Sequence, residues 1–139
     1  MRRAFVADAS VAVGWVHPAQ ATADTESMLD AVAQGGVLEV PALWPLEVSN
    51  ALMVLVRRRK LSEGERHVAL RWLRSLAPRV DHEMATIAFS KLAELASTHQ
   101  LSVYDATYLE LAQRRGLRLA CKDGPLEDAA RRCGVQLWG

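Results

Sequence analysis

Hydrophobic positions in this chain fall into two patterns that alternate along its length. Phe5-Val6-Ala7, Val37 to Val40 and Leu117 to Cys121 are short, mostly apolar runs, of the kind shown by strands buried on both faces of a parallel sheet. In the longer stretches apolar residues recur every three or four positions, which predicts helices with one buried face. The first strand follows Arg3 and ends at Asp8, and Asp8-Ala9-Ser10 offers an N-cap to a short helix over Val11 to Val16 that stops at His17-Pro18. A second helix spans Thr22 to Gln34 and is closed by Gly35-Gly36.

Pro41 opens a loop. Pro45 fits only the first turn of the helix that runs to about Lys60, because the N–H it lacks would have no intrahelical partner there. Ser62-Glu63-Gly64-Glu65 has the form of a capping box, with Leu61 available as a staple, so a helix to about Leu76 should pair with its predecessor as a hairpin ended by Pro78. The remaining elements are a brief strand at Arg79 to Asp81, a helix from about Glu83 to His99, and a helix from Val103 to Arg115 closed by Gly116. A helix over Leu126 to Arg132, ended by Cys133-Gly134, and a final strand over Val135 to Trp138 complete the pattern. Ile87, Leu92 and Leu95 recur at near-helical spacing in the Glu83 to His99 segment.

Strands that alternate with helices predict an α/β domain whose central, mainly parallel sheet of about four to five strands is flanked by helices through right-handed crossovers. In such sheets functional groups collect beyond the carboxyl ends of strands, where Asp8 and Asp123 fall.

Half of the 139 residues are hydrophobic and 24% are charged, enough for one compact domain over residues 1–139 with a substantial core. A net charge of +1 leaves no whole-protein field to capture nucleic acid or an anionic membrane, so such contacts need a local basic patch. The start Met-Arg-Arg-Ala-Phe reads as too short on apolar residues for a secretory leader, and the longest apolar stretch, Ala51 to Val56, is far short of the roughly 20 residues of a membrane span. With two cysteines, Cys121 and Cys133, the expectation is a soluble cytoplasmic protein with reduced thiols.

Four acids change the picture. Asp8 and Asp123 follow strands, while Glu47 shares a helical face with Ala51, Val54 and Leu55, and Asp105 shares one with Tyr108, Leu109 and Ala112. Three of the acids have an ordinary explanation: Asp8 as a cap, Asp123 before Gly124 as a turn residue, Asp105 as a first-turn acid favoured by the macrodipole. Two of them on core-facing stripes and two at strand ends instead suggest convergence, which without a cation would suffer repulsion and desolvation. All-oxygen ligation suits Mg²⁺ or Mn²⁺, and the natural chemistry is phosphodiester hydrolysis by a metal-activated water.

Val6-Ala7-Asp8-Ala9-Ser10, Pro41-Ala42-Leu43-Trp44-Pro45-Leu46-Glu47-Val48-Ser49-Asn50-Ala51-Leu52, Tyr104-Asp105-Ala106-Thr107-Tyr108-Leu109-Glu110-Leu111-Ala112 and Leu119-Ala120-Cys121-Lys122-Asp123 occur in an order that resembles the PIN-domain ribonucleases. The likeness is to VapC-type toxins and extends over essentially the whole chain, including the helical hairpin. It implies a three-layer PIN-like fold with a protruding hairpin and a Mg²⁺- or Mn²⁺-dependent endoribonuclease that acts on RNA. It also implies a homodimer, held inactive by a cognate VapB-like antitoxin. By position, Asp8, Asp105 and Asp123 would be metal ligands, Glu47 would hold a second metal or orient the attacking water, and Ser10 would support the first acid. The family often has Thr or Ser two residues before the last acid, where this chain has Cys121, a weaker hydrogen-bond donor.

Other features have plainer readings beside the functional ones. Arg57-Arg58-Arg59-Lys60 reads as a solvated helix end complementing the dipole, or as an RNA-backbone clamp. Trp15, Trp44, Trp72 and Trp138 read as packing residues, with Trp44 or Trp72 as alternative contacts for an antitoxin helix or an RNA base. His17, His67, His82 and His99 have no paired zinc-ligand spacing, and no Cys-His nucleophile pair is recognisable. Phosphoacceptor and haloacid-dehalogenase-type chemistry fit poorly, since Ala9-Ser10 follow Asp8 where a further acid would be needed. A housekeeping nuclease of the same fold without an antitoxin and a catalytically silent binding module remain as alternatives.

Overall fold

The computed structural model describes residues 3–122 and 124–138. Its strands are β1 (Ala4–Ala7), β2 (Val37–Pro41), β3 (Arg79–Asp81) and β4 (Arg118–Ala120). Its α-helices are α1 (Ala9–Val16), α2 (Ala23–Ala33), α3 (Leu43–Arg57), α4 (Glu63–Ser75), α5 (Met84–Ile87), α6 (Ala93–His99), α7 (Val103–Arg115) and α8 (Gly124–Arg132). The four strands form a parallel sheet in the order β3-β2-β1-β4. Phe5, Val6, Ala7, Val40 and Leu119 have no exposed surface, so β1 in particular shows an unbroken apolar run rather than an alternating one.

The strand order fixes where a site can form. The chain steps outward from β1 to β2 to β3, then returns past β1 to place β4 on its other side. Right-handed crossovers therefore put α1 to α4 on one face and α5 to α7 on the other, with the reversal between β1 and β4. The crevice beyond the carboxyl ends of these two strands is the place where open parallel sheets collect functional groups.

Local signals in the sequence account for most element boundaries. Asp8 caps α1, and Thr22 and Thr25 form a reciprocal capping box at α2. Ser62 accepts from the Glu65 N–H at 3.0 Å, while the Glu65 carboxylate accepts from the Ser62 N–H at 2.9 Å. Ser62→Ala should therefore lower stability by about 1 kcal/mol, read as a shift in the urea unfolding midpoint with an unchanged slope. Gly14 lets α1 and α2 approach closely, since a Cβ there would stand 2.9 Å from Thr25 Cγ2 and 3.1 Å from the Gln20 carbonyl.

Two expected elements differ. The helix from about Glu83 to His99 is interrupted by a π segment, Ala88–Leu92. Ile87 and Leu92 are five residues apart, a spacing that α geometry splits between faces but that an i→i+5 turn aligns. Both then pack in one cluster with Leu95, Ala96 and Ala106. The final strand, expected over Val135 to Trp138, is reduced to a single bridge between Leu119 and Leu137. The Val135 N–H is already used, donating 2.9 Å to the Ala130 carbonyl to close α8, so pairing with β4 begins only at Gln136. Trp138 packs its ring 4.8 Å from that of Phe5. No helix among the described residues is long and apolar enough to cross a membrane.

A charged network binds α7 to the β2–β3 edge. The Arg114 guanidinium donates to both oxygens of Asp81, at 3.0 and 2.8 Å, and to Glu110 at 2.9 Å. Glu110 is almost fully buried and also meets Lys91 of the π segment at 3.3 Å. Arg115 adds a hydrogen bond to Asp81 at 3.1 Å and an ion pair to buried Glu39 at 3.7 Å. The Arg114 side chain beside it, together with the Glu83 N–H and Arg115, holds the Asp81 carboxyl well below the usual carboxylate range.

Candidate acidic site

Asp8 stands directly beyond β1, and its backbone N–H donates to the Ala120 carbonyl of β4 at 3.0 Å, which fixes it at the strand reversal. Its Oδ1 accepts from Ser10 Oγ at 2.6 Å and from the Val11 N–H at 3.3 Å, so it does cap α1. It is also only 6% exposed. Burial pushes its carboxyl up to about 6 despite those two hydrogen bonds, and the charges of Asp105 and Glu47 push in the same direction.

The other two described acids come from opposite layers. Glu47 lies in the second turn of α3, half-buried, and Oε1 accepts a short hydrogen bond from the Tyr108 phenol. Asp105 lies in the first turn of α7, where its N–H donates to Ser102 Oγ at 3.0 Å. Tyr108, one turn further along α7, is 1% exposed. Burial holds its phenol proton far above the ordinary tyrosine range, reinforced by the Glu47 hydrogen bond and the charges of Glu47, Asp8 and Asp105. One buried hydroxyl thus senses three carboxylates that arrive from a strand end and two helices.

The structure brings Asp8, Glu47 and Asp105 into one electrostatic neighbourhood, with Ser10 supporting Asp8. Asp123, the fourth expected member, lies outside the described residues. Among the described residues no three His, Cys, Asp or Glu side chains stand close enough to form a closed metal-ligand set. The donor chemistry nevertheless fits a hard divalent cation. Both protein donors to Asp8 fall on Oδ1 and the donor to Glu47 falls on Oε1, so among the described residues neither Asp8 Oδ2 nor Glu47 Oε2 receives a hydrogen bond. None of the ion pairs among the described residues involves Asp8 or Glu47. Two carboxylate oxygens in a crowded negative site are thereby left open to an oxygen-seeking ion such as Mg²⁺ or Mn²⁺.

Tyr108 is the member whose role sequence reasoning missed. The signal was present: a hydroxyl three residues after Asp105, on a stripe with Leu109 and Ala112, needs a partner once buried. A Cys-His pair was also missed, since Cys133 Sγ lies 3.2 Å from His99 Nε2 and Arg132 Nε donates to His99 Nδ1 at 3.4 Å. Cys133 lines a cavity of about 580 Å³ with Leu117 and Arg118, at the amino end of β4 and so at the opposite end of the sheet from the acids. It follows the carboxyl end of α8, where the helix dipole disfavours a thiolate.

Arg57, Arg58, Arg59 and Lys60 are all exposed at the end of α3. The tryptophans pack: Trp15 and Trp72 meet edge to face at 6.4 Å, and Trp44 is 4% exposed. Trp44 lines a mainly apolar groove of about 400 Å³ between α3 and α4, with Val48, Leu70, Leu73 and Pro78.

No protein-family model matches the chain, and no curated protein matches it in sequence. Solved structures do. PAE2754 from Pyrobaculum aerophilum is similar with a TM-score of 0.67 at 22% identity, over 93% of this chain and 87% of that one. FitAcB from Neisseria gonorrhoeae is similar with a TM-score of 0.65 at 18% identity, over 97% of this chain and 96% of that one. At such identities the likeness establishes a shared fold: this chain is a PIN-like α/β domain with a four-stranded parallel sheet between helical layers.

Proposed function

We propose that this chain is a metal-dependent endoribonuclease that acts as the toxin of a toxin-antitoxin pair. The observation that carries the reading is the meeting of Asp8, Glu47 and Asp105 around the buried Tyr108 hydroxyl, at the strand reversal of a PIN-like sheet. Asp8 and Asp105, with Asp123, would hold Mg²⁺ or Mn²⁺. A bound ion of that kind supplies positive charge for a phosphodiester transition state and acidifies a water at neutral pH. The protein's own part is to hold the acids: Ser10 and the Val11 N–H fix Asp8, and Glu47 would help hold a second ion or orient the attacking water.

Substrate and partner are read from two surface features elsewhere on α3. The exposed Arg57 to Lys60 run supplies cations for an RNA backbone. The apolar groove beside Trp44, between the hairpin helices, suits an antitoxin helix, and a homodimer is the expected assembly. The test is incubation of purified protein with single-stranded and structured RNA at 50 and 200 mM salt, with Mn²⁺ or with EDTA. Cleavage that needs Mn²⁺ and weakens with salt is expected, together with copurification of the product of a small adjacent gene. RNA binding without cleavage in Mn²⁺ makes the chain a silent binding module, and cleavage without any such partner makes it a housekeeping nuclease.

A further inference from the structure

Tyr108 has no assigned part in the chemistry, and its surroundings are unusual for a core aromatic. It is the bulkiest of the fully buried side chains, yet its hydroxyl is aimed at the acidic site rather than at a backbone carbonyl. A phenol has one proton to give. Three carboxylates act on this one, and the proton goes to Glu47 Oε1, across from α7 to α3. Among the described residues Glu47 receives no other hydrogen bond, whereas Asp8 receives two.

The difference matters because of side-chain length. Asp8 is short and is held by its own helix start, but Glu47 has three rotatable bonds and loses considerable rotamer freedom when fixed. Without Tyr108 it would be pushed by Asp8 and Asp105 toward solvent, since like charges in a half-buried site repel and α3 offers it no competing anchor. The hydrogen bond to Oε1 holds the carboxylate inward and leaves Oε2 open.

We propose that Tyr108 is a positioning residue for the acidic site, whose phenol fixes the Glu47 carboxylate by Oε1 and so keeps its second oxygen available to an ion. The inference rests on the metal reading above and deepens it. Tyr108 does not touch substrate; it acts through Glu47. Outer-shell hydrogen bonds of this type commonly affect metal affinity by about 10- to 100-fold.

The deciding measurement is Mn²⁺ affinity by titration calorimetry on the full chain, for wild type, Tyr108→Phe, Glu47→Gln and the double variant, each checked for folding by circular dichroism. Tyr108→Phe keeps the ring and should weaken Mn²⁺ binding about tenfold or more, with the double variant no weaker than Glu47→Gln alone. A phenol that serves only the core would lower the melting temperature and leave the Mn²⁺ affinity of the folded protein as it is, which overturns the role of Tyr108 alone. A double variant markedly weaker than Glu47→Gln also overturns it, because the phenol then acts through another acid. Wild-type protein that takes up no Mn²⁺ overturns the metal reading, and this inference with it.

Discussion

Asp8→Asn should abolish Mn²⁺-dependent RNA cleavage, by more than about a hundredfold, and at the same time make the metal-free protein more stable at neutral pH. The two effects share one cause. Asp8 is buried with its carboxyl pushed up to about 6 from an unfolded value near 3.8. At pH 3 and below both the folded and unfolded forms carry the proton, and the group has little effect on stability. Between about pH 4 and 6 the folded protein binds more protons than the unfolded chain, so stability falls as pH rises, and above pH 6 the loss is complete. Its size is on the order of 3 kcal/mol.

Asparagine removes the charge but keeps an oxygen that can accept from Ser10 and Val11, so most of that penalty should vanish. Urea unfolding in EDTA at pH 3 and pH 7.5 checks it. The variant should match wild type at the lower pH and exceed it by roughly 1–3 kcal/mol at the higher. Equal or lower stability at pH 7.5 would show that Asp8 is a structural acid, and wild-type cleavage by the variant would remove it from the chemistry.

Arg114→Ala should cost about 3 kcal/mol, far more than an ordinary surface arginine. Glu110 would be left buried with only Lys91, and Asp81 would lose both of its strongest hydrogen bonds. Stranding a buried charge is what makes such a loss large, and the figure is kept at the low end because the Arg114 side chain is 30% exposed. The pH dependence runs opposite to that of Asp8. Asp81 is depressed, so its contribution is present above the unfolded carboxylate value and is lost as pH falls through the acid range. Wild type should therefore lose more stability between pH 7 and pH 3 than Arg114→Ala does. Arg131→Ala, which breaks an exposed pair, is the control and should cost less than about 0.5 kcal/mol. Arg114→Lys should recover little, since an ammonium cannot span two carboxylates as a planar fork does.

Much of this was legible in the sequence, for identifiable reasons. The mostly apolar runs at β1 and β2, the Ser62 to Glu65 capping box and the first-turn Pro45 each encode local structure, and each formed as read. The inward faces of Glu47 and Asp105 were legible because helical periodicity carries direction. The π segment was not, because a five-residue spacing was read as irregular α periodicity when it recorded a different turn. The last strand shrank because the closing turn of α8 claimed the Val135 amide first, a competition no run of apolar residues reveals. Nor were the Arg114 network and the Tyr108 phenol, since which charges pair across α7, β2 and β3 depends on packing between segments far apart in the chain.

The strand reversal between β1 and β4 also governs when Asp8 is fixed in place during folding. The hydrogen bond from Asp8 to Ala120 joins the first strand to the last, so nearly the whole chain must close as a loop before it forms. Helix caps and the α3–α4 hairpin can form locally and early, whereas this closure carries a large entropic penalty. Until β4 docks, the Asp8 backbone lacks the Ala120 carbonyl that fixes it at the edge of the crevice.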